Sequence, residues 1–409
     1  MKVYIILFFL LTFNLCGQEG IIYERNFIHD NAVRSYLLYV PNACTPDENW
    51  PLVINYHGFS TSAVFQMNYT QMNVVADTAH FLIAYPQGLI VTDRVYGESD
   101  YGWHIPGRWI ADQDDVVFTD SLINHIQNDF KIDIAHIHAT GFSNGSEMAF
   151  YLACMRPNIF GSVGGVAGGM IDNLLDSCQV GRPISIVLIH GTADPLVPIN
   201  GMEEILAPAQ STASFWSLKN KCSMDSIVTD LPDVVKEDSC TVTLMKYIGC
   251  ENKSEVLFYQ INNGGHTWPS GYHWPEMDFL GYINQDIHAS SVMWNFFKRF
   301  PHPDPAVGVI NFEKDLSQRI RLLRNYPNPF NPTTSIEYEL SKPAHVQLTI
   351  CDLRGRHIKT LANQHQSTGR FQTTWEGMDE CGVPATGGIY FCRMQAGDFI
   401  KVIKLVLVR

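Results

Sequence analysis

The pentapeptide Gly141-Phe142-Ser143-Asn144-Gly145 places the strongest constraint on the fold of this 409-residue chain. It follows an apolar run, residues 134–139, and precedes a helix-like stretch, residues 146–155. A chain that turns this sharply from strand to helix has no space for side chains two residues before and after the serine, which accounts for both glycines. The pattern therefore predicts a nucleophile elbow that presents the Ser143 hydroxyl.

Two further segments supply an acid and a base in the chain order serine, acid, histidine that such a site uses. Asp194 follows a strand-like run, residues 184–189, and His266 lies in a glycine-rich loop after a second run, residues 256–261. We expect His266 to take the Ser143 proton, and Asp194 to fix the imidazole tautomer and stabilise the imidazolium.

Other interpretations of these residues stay open at this point. Asp194 also suits a turn, and in a chain with 15 histidines His266 also suits an ordinary loop position. His190 and His57 both end apolar runs and precede a glycine, so each competes for the role of base. Chain order argues against them, because His190 lies only four residues before the acid and His57 precedes Ser143.

Residues 51–56 form another apolar run typical of a strand. The loop that follows begins with His57-Gly58-Phe59. In this type of site that loop donates one backbone N–H to the developing alkoxide, and the residue after the nucleophile donates the second. We therefore predict Phe59 and Asn144 as the oxyanion-hole donors. The alternative is that residues 57–58 form an ordinary strand-to-loop turn.

Tryptophans are the candidates for substrate contact. Trp268 lies two residues past the predicted base, and Trp103 lies in a loop, so we predict both as substrate-binding residues. Trp109 and Trp274 occur in similar loops, but packing at the periphery of the fold explains them equally well. Aromatic rims suit phenolic acids, sugars and polyester chains alike.

The start of the chain predicts export. Lys2 precedes residues 3–13, an apolar stretch of the length of a signal-peptide core and too short to span a bilayer. We expect a signal peptide over residues 1–17, with Cys16 as a lipoprotein site being the alternative. No later stretch is long enough to cross a membrane, so we expect a secreted or surface protein without a transmembrane segment.

The net charge of −13 argues against nucleic acid or anionic lipid as a partner, because phosphate binding requires a basic surface. Ten cysteines in an exported chain imply several disulfides, and we expect Cys154 to pair with Cys178 and Cys222 with Cys250, although spacing alone does not establish connectivity. The sequence contains no metal-binding or phosphate-cradling motif, so we expect neither a metal nor a cofactor.

The chain divides into two predicted domains. Over residues 20–300, strands alternate with helices, which predicts a doubly wound, mainly parallel sheet. Residues 301–324 form a proline-containing linker. Period-two alternation over residues 325–409 then predicts a small β-sandwich, with one apolar face carried by Ile336, Tyr338 and Leu340 and another by Val346, Leu348 and Ile350.

Two helices of the first domain can be placed from the sequence. One covers residues 115–130, behind the N-capping run Asp112, Asp114 and Asp115, which favours a helix cap over a metal site. The final helix covers residues 285–297 and contains His288, which we interpret as a structural residue.

Residues 34–300 resemble the secreted polyhydroxybutyrate-depolymerase and feruloyl-esterase-like branch of the α/β-hydrolases. The resemblance lies in the segments "SYLLYVP", "PLVINYHG", "IAYPQG", "GFSNGSEMA", "HGTADPLVP" and "GGHTWPSG". It implies hydrolysis of carboxylic esters by a Ser-His-Asp triad, which maps onto Ser143, His266 and Asp194.

The second domain resembles the C-terminal sorting domain of the type IX secretion system, an immunoglobulin-like module. The resemblance lies in "NYPNPFNPTTSIEYEL", "DLRGRHIKTL" and "GGIYFCRM". It implies the type IX secretion machinery as a partner. The alternative is that the sandwich is a carbohydrate-binding module.

These features together predict a secreted serine carboxylic ester hydrolase that acts on feruloyl or acetyl esters of plant polysaccharides. An extracellular polyhydroxybutyrate or other polyester depolymerase is the alternative substrate class. A peptidase on the same fold and a non-catalytic surface adhesin are the alternatives from other classes.

Overall fold

A computed structural model describes residues 20–30, 32–45, 47–223, 226–304, 321–340, 343–353, 355–396 and 399–409. The predicted signal peptide with Cys16, and residues 305–320 of the predicted linker, lie outside the described residues. The chain divides into two compact units, Met1–Val309 and Ile310–Arg409. Within the described ranges, none of the helices combines the length and the apolar composition that a bilayer span requires.

The described strands of the first unit build one large sheet and one small one. They are β1 (Ile21–His29), β2 (Ala32–Val40), β3 (Trp50–Tyr56), β4 (Leu82–Pro86), β5 (Leu89–Asp93), β6 (Ser99–Gly102), β7 (Trp109–Ile110), β8 (Ile132–Gly141), β9 (Ser162–Val166), β10 (Ser185–Gly191), β11 (Ser226–Asp230), β12 (Thr241–Tyr247) and β13 (Val256–Asn262). The large sheet has ten strands in the order β1-β2-β4-β3-β8-β9-β10-β13-β12-β11.

The centre of this sheet is parallel and its two edges are antiparallel. Strands β4, β3, β8, β9, β10 and β13 pair in parallel. Strands β1 and β2 extend one edge antiparallel to β4, and β12 and β11 extend the other antiparallel to β13. The central strands are apolar throughout because both faces are covered: in β3, Leu52, Val53 and Ile54 have no exposed surface. The predicted α/β-hydrolase fold, with its mainly parallel sheet, is confirmed.

The helices of the first unit connect these strands. They are α1 (Ala63–Thr70), α2 (Met72–Ala79), α3 (Asp115–Gln127), α4 (Asn144–Met155), α5 (Leu174–Ser177), α6 (Ala209–Lys219) and α7 (Ala289–Phe297), together with 3-10 helices at Lys236–Asp238, Glu251–Lys253 and Pro275–Leu280. Asp114 caps α3 by accepting the amides of Val116 and Val117 at 3.1 and 3.0 Å, so the predicted cap is confirmed.

Two helix predictions needed correction at their ends. Helix α3 ends at Gln127 rather than at residue 130, and Asp115 is buried in an ion pair with Arg34 at 2.8 Å instead of capping the helix. Helix α7 begins at Ala289, four residues later than predicted. His288 is its N-cap and accepts the Ser291 amide at 3.3 Å, which confirms the structural role predicted for this histidine.

The small sheet of the first unit, in the order β6-β5-β7, inserts between β4 and α3. A buried charge network ties it to α4. Arg108 donates to Glu147 at 2.6 Å and to Asp93 at 3.3 Å, and the Trp109 indole donates to the second Glu147 oxygen at 2.6 Å. Since α4 begins directly after Ser143, this network fixes the small sheet beside the nucleophile elbow.

The second unit is an antiparallel sandwich. Its described strands are β14 (Arg321–Tyr326), β15 (Thr334–Leu340), β16 (Ala344–Asp352), β17 (His357–Gln366), β18 (Gly369–Trp375), β19 (Gly388–Ala396) and β20 (Phe399–Leu407), which form the sheets β14-β15-β18 and β17-β16-β19-β20. The two predicted apolar faces are buried in one shared core: Ile336, Tyr338 and Leu340 from β15, and Val346, Leu348 and Ile350 from β16. The predicted β-sandwich is confirmed.

Among the described residues of the first unit there are two disulfides. Cys154 of α4 pairs with Cys178, and Cys222 pairs with Cys250. Both predicted pairings are confirmed. The first connects the helix that follows the nucleophile elbow to the segment before β10.

Candidate functional site

Ser143 lies between the end of β8 and the start of α4, in a backbone conformation that L-residues rarely adopt. Its φ is 54° and its ψ is −120°, and its amide donates to Val166 of β9 at 2.9 Å. Strain of this kind persists only where the surrounding structure holds it, and it concentrates at functional sites. The serine is half-buried, at the carboxyl ends of the parallel strands.

The two glycines of the elbow are required by close packing. A Cβ on Gly145 would collide with the carbonyl oxygens of Tyr56 and His57, and one on Gly141 would collide with the carbonyl of Gly145. The helix thus starts directly against the end of β3. This packing is the reason for the G-x-S-x-G spacing in this chain.

Asp194 and His266 meet at the ends of two neighbouring strands, β10 and β13. The Nδ1 atom of His266 lies 2.7 Å from Oδ2 of Asp194, and both side chains are buried. The His266 ring packs against Phe142, the residue before Ser143, with ring centroids 4.8 Å apart. The sheet therefore brings the acid, the histidine and the elbow to one edge.

The two oxygens of Asp194 have separate partners. Oδ1 accepts the amides of Leu196 and Val197 at 2.9 and 2.8 Å, so the turn role considered for this residue is also realised. Burial opposes ionisation of the carboxyl, but the hydrogen bond from His266 and the amide of Val197 hold its pKa below the usual value. An ionised Asp194 only accepts, so Nδ1 of His266 carries the proton and Nε2 is left free to receive one.

His190, the first competing base, is occupied elsewhere. Its Nε2 lies 2.9 Å from the Val197 carbonyl oxygen, which can only accept, so this nitrogen carries a proton. The ring is buried, and burial lowers the pKa of His190. Its Nε2 also lies 3.6 Å from Oδ2 of Asp194. His190 thus packs behind the carboxylate as a neutral ring.

Residues 58–62, which we call loop 58–62, lie against the elbow. A Cβ built on Gly58 would be 3.4 Å from the Cβ of Ser143. Among the described residues, neither the Phe59 amide nor the Asn144 amide donates a hydrogen bond. These two N–H groups, predicted as oxyanion-hole donors, are therefore not used by another acceptor in the described part of the chain.

His57, the second competing base, holds loop 58–62 in place. The Gly88 amide donates to its Nε2 at 2.9 Å, so the ring proton lies on Nδ1, which donates to the Gly58 carbonyl at 2.7 Å. Thr61 donates to the same carbonyl at 2.7 Å. Because a peptide unit is planar, fixing the Gly58 carbonyl also fixes the direction of the Phe59 N–H.

The two tryptophans predicted to contact substrate do not line the site in this structure. Trp103 and Trp268 have no exposed surface. Trp103 donates its indole N–H to the His57 carbonyl at 2.9 Å, and its own amide donates to the Asn144 side chain at 2.7 Å. The Trp268 indole donates to Ser290 at 3.2 Å. Both are packing residues beneath the site, so this prediction was wrong.

Trp109 and Trp274 pack against other side chains of the fold, as the alternative interpretation of these two residues stated. Trp109 is buried against Glu147, and Trp274 stacks on Phe65 with centroids 5.1 Å apart. Two tyrosines of the first unit have large exposed fractions: Tyr101 is 47% exposed on β6, and Tyr272 is 48% exposed in the loop after His266.

The sequence analysis did not predict the Arg108–Glu147 ion pair, which fixes the small sheet beside the elbow. Glu147 lies four residues after Ser143 and thus one turn into α4, where a buried carboxylate requires a cationic partner. A carboxylate at this helix position was the signal in the sequence, but it does not identify Arg108 as the partner.

Among the described residues, no group of three or more His, Cys, Asp or Glu side chains is arranged to bind a metal ion.

Two family models match separate parts of the chain. Residues 34–200 match the model described as Esterase PHB depolymerase, and this segment contains Ser143 and Asp194. Residues 330–398, within the second unit, match the FlgD Ig-like domain. The first unit is thus similar to esterases of this family model over residues 34–200, and the second unit is similar to an Ig-like domain.

The chain is also similar to individual proteins that carry esterase names. The chain is 28% identical to Feruloyl esterase B of Piromyces equi over 58% of its length and 43% of the relative. It is 27% identical to Putative esterase NocK of Nocardia uniformis subsp. tsuyamanensis over 60% of its length and 74% of the relative. Acetyl xylan esterase from Aspergillus awamori aligns with a TM-score of 0.44 and 13% identity, over 68% of this chain and 99% of that structure.

Proposed function

We propose that the first unit hydrolyses carboxylic esters by a Ser143-His266-Asp194 triad. The observation that carries this proposal is the buried Nδ1–Oδ2 hydrogen bond of 2.7 Å between His266 and Asp194, beside an elbow whose serine has positive φ. The similarity to esterases adds independent support.

The reaction would begin when Nε2 of His266 takes the hydroxyl proton of Ser143 and Oγ attacks the ester carbonyl carbon. The tetrahedral intermediate then breaks its ester C–O bond, and the alcohol leaves with the proton from Nε2. A water molecule attacks the carbonyl carbon of the acyl-enzyme and gives its proton to Nε2. The second tetrahedral intermediate then breaks its bond to Oγ, Nε2 returns the proton to Oγ, and the acid leaves. Asp194 accepts from Nδ1 throughout and stabilises the imidazolium.

The negative charge of each tetrahedral intermediate falls on the former carbonyl oxygen. The amides of Phe59 and Asn144 are the proposed donors to this oxygen, since Phe59 follows Gly58, which lies against Ser143, Asn144 follows Ser143, and neither amide has another acceptor among the described residues. Each such donor contributes on the order of 10²–10³ in kcat in enzymes of this chemistry.

The proposed substrates are feruloyl or acetyl esters of plant polysaccharides. Support comes from the relatives, which include feruloyl esterases and a bifunctional acetylxylan esterase/xylanase. The family model that matches residues 34–200 favours a second candidate, an extracellular polyhydroxybutyrate depolymerase.

We further propose that the chain is exported by its signal peptide and delivered by type IX secretion, with the second unit as the sorting domain. The apolar residues 3–13 and the sequence of the sandwich support this route. Fractionation of a type IX-competent host that expresses the chain measures its location directly.

The catalytic proposal is tested by labelling the protein with a fluorophosphonate and locating the adduct by mass spectrometry. A stoichiometric adduct on Ser143 is expected, and Ser143→Ala should remain unlabelled. Parallel assays with p-nitrophenyl acetate, an aminoacyl-anilide, methyl ferulate, acetylated xylan and short polyhydroxybutyrate separate an esterase from a peptidase, and one ester class from the other. A protein that is neither labelled nor active on any of these would contradict the proposal and favour an adhesin.

A further inference from the structure

A cavity of about 410 Å³ lies in the first unit, with Ser62 of loop 58–62 in its lining. We call it the rim cavity. It is bounded by β2, by the N-cap of α1, by the turn after β4, and by β5 and β6. The side chains that matter for its chemistry are those of Val33, Ser35, Ser62, Gln87, Leu89 and Tyr101.

The rim cavity and the elbow share loop 58–62 as a common wall. Gly58 faces Ser143, as its close approach to that residue requires. Two residues later the Ser60 amide donates to the Tyr101 carbonyl at 2.8 Å, and Ser62 lines the cavity itself. One short segment, loop 58–62, therefore contacts both the elbow and the rim cavity.

The cavity offers hydroxyl groups that have no protein acceptor. Among the described residues, the hydroxyls of Ser35 and Tyr101 make no hydrogen bond. The Ser62 hydroxyl accepts the Phe65 amide at 3.2 Å, and its own proton is unused. These groups both donate and accept, as the hydroxyls of a sugar do, whereas a polyester chain presents only acceptors.

The charge and shape of the cavity agree with a neutral ligand that has one apolar face. The one charged residue in its wall, Arg34, is buried and neutralised by Asp115 at 2.8 Å. The Tyr101 ring is 47% exposed, and Val33 and Leu89 add apolar surface. An exposed aromatic ring next to polar groups stacks on the C–H face of a sugar while those groups bind its hydroxyls.

We propose that the rim cavity is a subsite for a neutral sugar residue of the polysaccharide that carries the ester. The proposal rests on the proposed esterase function for its place in catalysis, but the binding it requires is measurable without hydrolysis. Tyr101 is then a specificity-determining residue: it recognises the polymer and leaves the chemistry at Ser143 unchanged.

Binding is tested on the full chain with Ser143→Ala, by calorimetric titration of ester-free xylotriose and cellotriose. We expect one of these sugars to bind, and Tyr101→Ala in the same background to weaken binding by roughly three- to tenfold, the effect of one lost aromatic contact. Tyr96→Ala is the matched control, because Tyr96 is 61% exposed between β5 and β6 and does not line the cavity. Ser35→Ala should also weaken binding, by removal of one hydroxyl.

Kinetics of the active enzyme supply the second measurement. Tyr101→Ala should lower kcat/KM on a feruloylated xylo-oligosaccharide by the same roughly three- to tenfold through a higher KM. Its kcat/KM on methyl ferulate should stay within about twofold of wild type. An equal loss on both esters would overturn the subsite, because it would mean that Tyr101 supports the fold or the chemistry.

The outcomes separate this proposal from the catalytic one. If neither trisaccharide binds to Ser143→Ala although the wild type hydrolyses methyl ferulate, the subsite is wrong and the esterase proposal stands. If xylotriose or cellotriose binds with the expected dependence on Tyr101 but no ester is hydrolysed, the esterase proposal is wrong and the sugar site stands. Tyr101-dependent binding of a hydroxybutyrate trimer in place of the sugars would also overturn the subsite as a sugar site.

Discussion

The Nδ1 atom of His57 donates to the carbonyl oxygen of Gly58 at 2.7 Å, which makes this buried imidazole part of the support of loop 58–62. Its Nε2 accepts the Gly88 amide, so both ring nitrogens are used and the ring is neutral. Burial lowers the pKa of His57 to about 4, and the ring therefore keeps this arrangement at neutral pH.

We expect His57→Ala to lower kcat on p-nitrophenyl acetate by about 10²-fold, with a small change in KM, because the Phe59 amide loses its fixed direction. His57→Asn, whose side-chain amide can donate to the Gly58 carbonyl, should recover part of the loss. The matched control is His138→Ala, which removes an equally buried imidazole elsewhere in the sheet and should affect stability but not kcat. A normal kcat for His57→Ala would show that the loop holds its position without the imidazole.

The triad itself predicts a graded pattern. Ser143→Ala should reduce ester hydrolysis by several orders of magnitude, and Asp194→Asn by roughly 10⁴-fold through loss of tautomer control at His266. His190→Ala should keep most of the activity of the folded protein, since His190 donates to a backbone carbonyl. Steady-state kinetics with circular dichroism as a folding check measure all three. Residual activity of Ser143→Ala within about tenfold of wild type would contradict the assignment.

The disulfides should support the stability of the first unit. Each closes a loop and contributes typically about 2–4 kcal/mol, so reduction should lower the melting temperature by roughly 5–10 °C. The double variant Cys154→Ala/Cys178→Ala should respond less to reductant than wild type, because one of the two bonds is already absent. Mass spectrometry after alkylation without reductant provides the check: labelling of Cys154, Cys178, Cys222 and Cys250 would contradict the pairing.

Acid should destabilise the protein through His138. This ring stacks on Phe297, with ring centroids 4.9 Å apart, and its Nδ1 lies 2.9 Å from the Ser162 hydroxyl oxygen. Burial, with a smaller effect of nearby His136, lowers the pKa of His138 to about 3. A histidine with a lowered pKa stabilises the fold fully above its ordinary pKa of about 6.5 and loses that contribution as the pH falls toward 3. The loss at pH 4 is of order 3 kcal/mol.

Melting temperatures of the full chain between pH 7 and pH 4 measure this effect. His138→Asn, which retains a polar group opposite Ser162 but does not titrate, should melt lower at pH 7 and show a smaller further decrease at pH 4. Parallel curves for the variant and wild type would mean that other groups cause the acid sensitivity.

Removal of the second unit should leave catalysis unchanged. Every proposed catalytic residue lies in the first unit, and the sandwich has its own core. A chain that ends at residue 304 should therefore hydrolyse a soluble ester at the wild-type rate within about twofold. In a type IX-competent host it should stay in the periplasm, as fractionation would reveal. Normal surface delivery, or strong binding of the isolated sandwich to xylan, would favour a carbohydrate-binding module instead.

Local patterns were sufficient to predict the elbow, the strand-end acid and histidine, and the sandwich faces, because each depends on residues close in sequence. The position of the small sheet beside the elbow was not predictable from such local patterns. The small sheet is held by Arg108 and Glu147, which lie 39 residues apart, and nothing local to either identifies the other. The predictions that Trp103 and Trp268 contact substrate failed for a related reason. The residue type shows that a ring is large and apolar, but not which side of a loop the ring faces.

The Arg108–Glu147 ion pair also affects how a substrate is received. Both partners are buried, and leaving either charge in the interior without its partner would cost about 3–5 kcal/mol, so the small sheet stays attached to α4. A surface that is already ordered gives up little conformational entropy when a ligand arrives. If the proposed esterase function holds, an ester that reaches Ser143 would thus meet a surface that is already ordered on the side of the small sheet.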